Sequence, residues 1–333
     1  MWTLGGVVPF PGAAGKLCLM LPTSRLLSFL LLGVGVALLV AGLVAPRFLP
    51  EDARLPLDLG ATTYSLVDAE AETRLMTDPG GRVLTSPVTH QLHMEIQNPA
   101  DEDTATLRVG ETLMRDSQQE DLDRLIAAEV WSFGVDRRTG EFTTRATLTD
   151  QLASPVSTVE IDGHWLKFPT GAEQGTYEVF DPKLRETRPA EFAEELEMNG
   201  RTVHRYRQEI EPINLAELYD SPFHTIEFAE GEPGHWFYSA TRDLLVDELS
   251  GLVVEIREDV DSYYATPEGE KREQILLFEG RMSQDQIDAH LADAADIRDP
   301  GTADTIRWVV VGLGGLLAVL GLAGAFGAFG RRR

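Results

Sequence analysis

The sequence predicts a mainly β extracytoplasmic domain, a large antiparallel barrel or sandwich with few short helices, tethered by N-terminal and C-terminal transmembrane helices. Three observations predict it. Two long uncharged apolar runs lie near the two ends of the chain. The segment between them is dense in hairpin turn signals. That same segment holds all 54 acidic residues of a chain whose formal net charge is −25.

A helix needs about 20 apolar residues to cross the hydrocarbon core. Leu26–Pro46 reads LLSFLLLGVGVALLVAGLVAP and meets that length. A cleaved signal peptide would have a shorter apolar core, about 7–15 residues, and a small-residue cleavage site. Here Leu43-Val44-Ala45 leads into Pro46, so the run is expected to stay as a signal anchor. Trp308–Phe329 is the second run, closed by Arg331, Arg332 and Arg333. Positive flanks stay on the cytoplasmic side. Lys16 and Arg25 precede the first run, and no acid lies outside the middle. Of the 29 basic residues, 29 − 5 = 24 remain in the middle, which nets 24 − 54 = −30. Arg47 and Arg307, on the outer flanks, run against the bias. The expected plan is a cytoplasmic segment (1–25), a helix (26–46), an outer domain (47–306), a second helix (307–329) and a cytoplasmic arginine tail (330–333), in the plasma membrane. Met20 offers an alternative start, giving MLPTSRLL directly before the first span.

Small residues let helices approach closely in lipid. Gly33, Gly35 and Gly42 in the first span, and Gly321, Gly324 and Gly327 in the second, are the candidate packing positions. A compositional cause competes, because Arg outnumbers Lys 25 to 4, as a G- and C-rich gene would dictate.

In the middle, Asp78-Pro79-Gly80-Gly81, Asp162-Gly163 and Asn199-Gly200 mark turns between alternating segments. Asp162-Gly163 is expected to join Ser157–Ile161 and His164–Phe168 as a hairpin. His204, Tyr206 and Ile210 share one parity, as a half-buried strand requires. Two turns resemble each other, VDRRTGEF (Val135–Phe142) and VDELSGLVV (Val246–Val254), each with Asp four residues before Gly. Asp caps the turn, and Gly takes a positive φ. An old duplication or common turn chemistry explains the match, and the chemistry suffices. Ten or more strands are expected between about 62 and 280. Helices are few: Ser283-Gln284-Asp285-Gln286 reads as a capping box before Ile287, Leu291, Ala294 and Ile297. A second cap is read at Ser117–Glu120, before Leu122, Leu125 and Ile126, and a short turn at Leu215–Tyr219.

A domain this acidic repels nucleic acid and anionic headgroups. Asp101-Glu102-Asp103 and Glu120-Asp121-Leu122-Asp123 lack EF-hand spacing and read as solvated surface. No nucleophile elbow, zinc motif or phosphate loop is present. His90 and His93 would point to opposite faces of a strand, so no metal or cofactor is expected, and no catalytic residue stands out. Cys18 is the only cysteine, so the core alone must hold the outer domain. Aromatic residues are the remaining signal. Most pack the core. The sharper expectation is that Trp131, Trp165, Phe168, Tyr177, Phe180, Trp236 and Tyr238 line a cavity for an apolar ligand.

Leu166–Ile210, with Phe168-Pro169, Tyr177 to Asp181 and the hairpin Glu195 to Tyr206, resembles the central signature of the actinobacterial PorA-family membrane proteins. VDRRTGEF and VDELSGLVV resemble the family's two Asp…Gly turns, with Glu248 and Ser250 in place of the family's usual Pro and Thr. The resemblance implies a cell-envelope protein with two terminal spans around one outer domain. That layout is also similar to the class B scavenger receptors, by analogy alone. The leading expectation is a protein that binds or passes an apolar envelope molecule such as a lipid. The alternatives are a structural or assembly partner of other envelope proteins, and a porin- or channel-like component. Neither span carries an internal ionisable residue, which weighs against a pore between spans.

Overall fold

The computed structural model describes residues 23–45, 54–60, 62–74, 83–116, 124–150, 155–228, 231–297 and 300–326. It has two compact units. One holds the two terminal helices; the other is Asp52–Asp299.

The first unit pairs α1 (Thr23–Val44) with a C-terminal helix (Pro300–Ala325). Leu26–Val44 and Thr305–Ala325 are long and apolar enough to cross a membrane. Large apolar side chains such as Leu27, Leu30, Val309 and Val319 are exposed on both, as lipid-facing residues would be. Pro300 opens the C-terminal helix. Proline suits a first turn, where its missing N–H has no partner to lose.

The second unit is one antiparallel sheet of fifteen strands, β1 to β15, between Thr62 and Arg281. Its main path runs β8 (Ser157–Val159), β7 (Ala146–Thr149), β6 (Leu125–Asp136), β5 (Thr104–Arg115), β4 (Val88–Ala100), β1 (Thr62–Asp68), β15 (Lys271–Arg281), β14 (Val253–Ala265), β13 (Pro233–Asp247), β11 (Arg201–Asn214), β10 (Glu186–Met198) and β9 (Thr176–Asp181). The sheet closes on itself. Val135 of β6 bridges Phe142, Glu141 bridges His164, and His164 bridges Val179 of β9. The result is a barrel whose wall is ten strands and the short His164 segment.

The wall follows the strand period. In β11, Tyr206, Gln208 and Ile210 are buried, while Arg207, Glu209 and Glu211 are exposed or half-buried. Leu125 and Ile126 belong to β6, so the helix expected there is not formed; Ser117–Asp123 lie outside the described residues, as does the Asp78–Gly81 turn. Leu215–Glu217 is a 3-10 turn capped by the Asn214 side chain. Asn199 and Gly200 both take positive φ, making the tight hairpin between β10 and β11.

Strand β14 is buried on nearly its whole length, and α2 (Gln284–Asp296) packs outside it at Val254. Ile287, His290, Leu291 and Ala294 form the buried face. His290 bonds the Val254 and Thr63 carbonyls, both at 3.2 Å. The expected capping box is not formed. Ser283 is the N-cap residue without a side-chain bond, and Gln286 instead accepts from the Ser65 backbone N–H at 3.0 Å. A tertiary partner outcompetes the local one.

One end of the barrel is plugged. The Asp136 and Asp247 turns sit there and grip the chain from Lys167 to Ala172 from two sides. Thr170 N donates to Arg138 O at 3.0 Å, and Phe168 N to Gly251 O at 2.7 Å. The turns share their geometry. Each Asp side chain caps the turn, each Asp carbonyl accepts from the Gly four residues on, and Gly140 and Gly251 have φ of 76° and 67°. A Cβ on either glycine would collide with a carbonyl oxygen of the gripped segment. The expected Asp162-Gly163 hairpin is therefore absent. After Gly163 the chain leaves β8, joins β9, and sends Trp165 and Phe168 into the interior. The chain enters this unit at the plugged end, where Leu55 N donates to Arg137 O, and leaves it along α2 at the same end.

Candidate functional site

Eight strands close a barrel that side chains can just fill; ten leave room. The lumen here encloses about 230 Å³. Its wall takes Leu66 from β1, Leu92 from β4, Leu113 from β5, Leu244 from β13, Ile256 and Val260 from β14, and Phe278 from β15. Its floor is aromatic. Trp165 and Phe180 face the lumen and rest on Trp131, whose ring centroid lies 6.2 Å and 5.5 Å from theirs. Below that, Phe168 stacks on Tyr206 at 5.2 Å, and Tyr177 meets both edge-on at 5.3 Å.

The seven aromatic residues singled out from the sequence thus separate. Trp165, Phe180, Trp236 and Tyr238 line the lumen. Trp131, Phe168 and Tyr177 are outside its lining and build the plug beneath it. Sequence shows aromatic residues in strand-like stretches, and that pattern does not separate a lumen wall from a packed floor.

The lumen also holds charge, which the sequence did not reveal. His90 donates from Nδ1 to Glu258 at 2.8 Å and from Nε2 to Glu111 at 3.0 Å. Arg242 donates from Nε to Glu258 at 2.6 Å and from Nη2 to Tyr238 Oη at 2.6 Å, and its Nη1 bonds Asp181 and Gln208. Tyr238 Oη donates to Asp181 at 3.0 Å. Burial disfavours the charged ring of His90, but Glu258 and Glu111 outweigh it and raise its pKa to about 10. Burial likewise works against the Glu258 carboxylate, and Arg242 and His90 outweigh it, holding it at about 2. At neutral pH His90 is an imidazolium that donates from both nitrogens. Six strands supply this network: β4, β5, β9, β11, β13 and β14. The Asp181 side chain also caps its own turn, accepting from Leu184 N at 2.7 Å, with Arg185 at a φ of 57° where the other two turns have Gly. The turn at Asp181 is a third copy of the Asp-capped pattern, hidden in sequence because Arg replaces Gly.

At the end opposite the plug, a ring of side chains frames the opening. Arg185 donates to Asp150 at 2.8 Å and lies 3.9 Å from the Tyr219 ring centroid. Tyr219 meets His224, His224 meets Trp236, and Lys183 Nζ lies 4.9 Å from the Trp236 centroid and 3.8 Å from Glu129. Burial pushes the Glu129 carboxyl up, against the pull of Lys183. Burial lowers the pKa of His224. Floor residues are buried, whereas Lys183 and Asp150 side chains keep 28% and 30% exposure, so this end is the mouth.

Between the two terminal helices, Gly35, Gly42 and Gly321 are contact points. A Cβ on Gly35 would strike Ala318 N, one on Gly42 would lie 2.6 Å from Val311 Cγ2, and one on Gly321 would lie 2.5 Å from Leu32 N. Gly33 has open space around it, and Gly314 joins the seam against Leu38 and Leu39. Gly324 lies within the second helix, and Gly327 lies outside the described residues.

The barrel's outer surface is charged. Among the described residues its exposed large apolar side chains are scattered, as at Val67, Val156 and Leu277. A barrel that crosses lipid needs a continuous outward apolar band. The apolar surface lies on the two helices instead. Fold and site thus define a membrane protein with a water-facing barrel that encloses a one-mouthed lumen. The sequence model of the family described as Porin PorA matches residues 27–323, and the chain belongs to that family. It is 26% identical over 311 residues to a protein of Corynebacterium amycolatum named Porin PorA, covering 75% of this chain and 80% of the relative. It is 25% identical over 232 residues to a Corynebacterium resistens protein of the same name, covering 57% of this chain and 54% of that relative.

Proposed function

We propose that the barrel is a tethered receptor that takes the apolar portion of a cell-envelope molecule, such as a lipid, into its lumen. The observation that carries this reading is the lumen: about 230 Å³, apolar walls, one mouth. An apolar cavity of ~150 Å³ admits a benzene ring, so this one has room for a short aliphatic segment. The two helices cross the plasma membrane with both chain ends in the cytoplasm, because the terminal segments carry arginine and lysine and no acid. The test is purification of the full chain in a mild detergent, followed by mass spectrometry under native conditions. A stoichiometric bound lipid supports the reading. A protein that stays apo after exposure to envelope lipid extract rejects it.

The relatives' name favours a second reading, a pore. Reconstitution into a planar bilayer separates the two. The plugged barrel and the close-packed spans lead us to expect no stepwise conductance from the isolated chain; reproducible single-channel steps would favour the pore.

A further inference from the structure

Two cations at the mouth are not fully used. Lys183 Nζ has Glu129 as its carboxylate neighbour at 3.8 Å, beyond hydrogen-bond reach. Arg185 gives one amino group to Asp150 at 2.8 Å, and its Nε makes no hydrogen bond among the described residues. Both are pre-placed against rings, Lys183 on Trp236 and Arg185 on Tyr219, so engaging a ligand costs little side-chain freedom. The deeper cations differ: Arg242 and His90 are committed to Asp181, Glu258 and Glu111. At the mouth Lys183 and Arg185 face Glu129 and Asp150, and Glu111 and Asp181 act on Lys183 from deeper in the lumen. Burial raises the Glu129 carboxyl, so a proton taken there removes one negative charge beside Lys183.

We propose that Lys183, with Arg185 beside it, receives the carboxylate headgroup of an amphiphile whose aliphatic chain fills the lumen. This rests on the reading above that the lumen holds an apolar group, and it adds the headgroup chemistry. No bond is made or broken. The carboxylate accepts from the Lys183 ammonium and from the Arg185 guanidinium, charge-assisted bonds stronger than neutral ones. Binding of the anion draws a proton onto Glu129, so affinity rises as pH falls.

The test is calorimetric titration of the full chain in zwitterionic nanodiscs, with empty nanodiscs subtracted. The probes are octanoate, 1-octanol and acetate. Octanoate is expected to bind about tenfold tighter than 1-octanol at pH 6.5, with a smaller advantage at pH 8, and acetate to bind far more weakly than either. Lys183→Met should bring octanoate to the level of 1-octanol and leave 1-octanol unchanged; Lys183→Arg should keep the preference. Equal binding of octanoate and 1-octanol to the native chain, or an unchanged preference in Lys183→Met, overturns the headgroup assignment while leaving the lumen occupied. Failure of both probes to bind overturns the lumen reading and this inference together.

Discussion

His90, Glu258 and Lys167 tie the fold of the outer domain to pH in opposite directions. Glu258 is held at about 2, below its unfolded value of 4.5, so its contribution is present above pH 4.5 and is lost as pH falls toward 2. His90 is raised to about 10 from 6.5, so its contribution is full below pH 6.5 and is lost as pH rises toward 10. Lys167 is the opposite kind of base. It is fully buried in the plug, bonded to the Phe168 carbonyl, and burial lowers it to about 7 with Asp136 opposing weakly. Its unfolded form binds the proton better, so its penalty is full below pH 7 and is relieved between 7 and 10.5. In that alkaline window His90 and Lys167 oppose each other. We expect Lys167→Met to raise the unfolding midpoint more at pH 6 than at pH 10, and to uncover a decline above pH 6.5 that His90→Gln removes. Urea melts of the detergent-solubilised chain across pH 5–10 would measure this; pH-independent shifts in both variants would refute it. Removing one partner of a buried pair costs about 3–5 kcal/mol. Glu258→Gln is therefore expected to destabilise by that order, because it leaves Arg242 and His90 short of a carboxylate.

At the scale of elements, the twin Asp…Gly turns are clamps on the plug, and their glycines act through space as well as through φ. Gly140→Ala and Gly251→Ala are each expected to cost roughly 2–4 kcal/mol, because a methyl meets a carbonyl oxygen of the gripped segment. Gly171→Ala is the control. It has the same kind of φ, 70°, but open space, and about 1 kcal/mol is expected. Equal losses at all three positions would mean that backbone conformation alone matters. The spans pose a parallel question. Gly35→Ile is expected to lower the midpoint at which the helices of the detergent-solubilised chain melt, read by far-UV circular dichroism, and Gly33→Ile to leave it unchanged, since of these two only Gly35 faces the other helix. The same outcome for both would return the glycines to mere composition.

For the whole molecule, the separation of apolar from charged surface sets what each part can do. The two helices carry the continuous apolar surface, and the barrel carries charge outside and, inside, apolar side chains around a paired charge network. The proposed topology is read most simply with the natural Cys18. A membrane-impermeant maleimide should leave it unlabelled in intact cells and label it after permeabilisation. A cysteine introduced as Asp162→Cys, with Cys18→Ser, should label from outside. Labelling of Cys18 in intact cells would reverse the orientation.

The apolar lengths, the charge gradient and the turn residues are local quantities, and each is complete within a short stretch of chain. They were enough to give two membrane-length helices, a strand-rich middle and the Asp-capped turns. The capping box at Ser283 and the hairpin at Asp162-Gly163 failed for the converse reason. Gln286 and Trp165 found distant partners that a local pattern does not contain. The lumen is the extreme case. His90 and Glu258 are 168 positions apart, and Arg242 and Asp181 are 61 apart. In sequence they are scattered charges among 54 acids. Barrel closure through His164 brings them together, because curvature and register depend on every strand at once. Which aromatic residues face open space and which fill the plug follows from that closure and from nothing shorter.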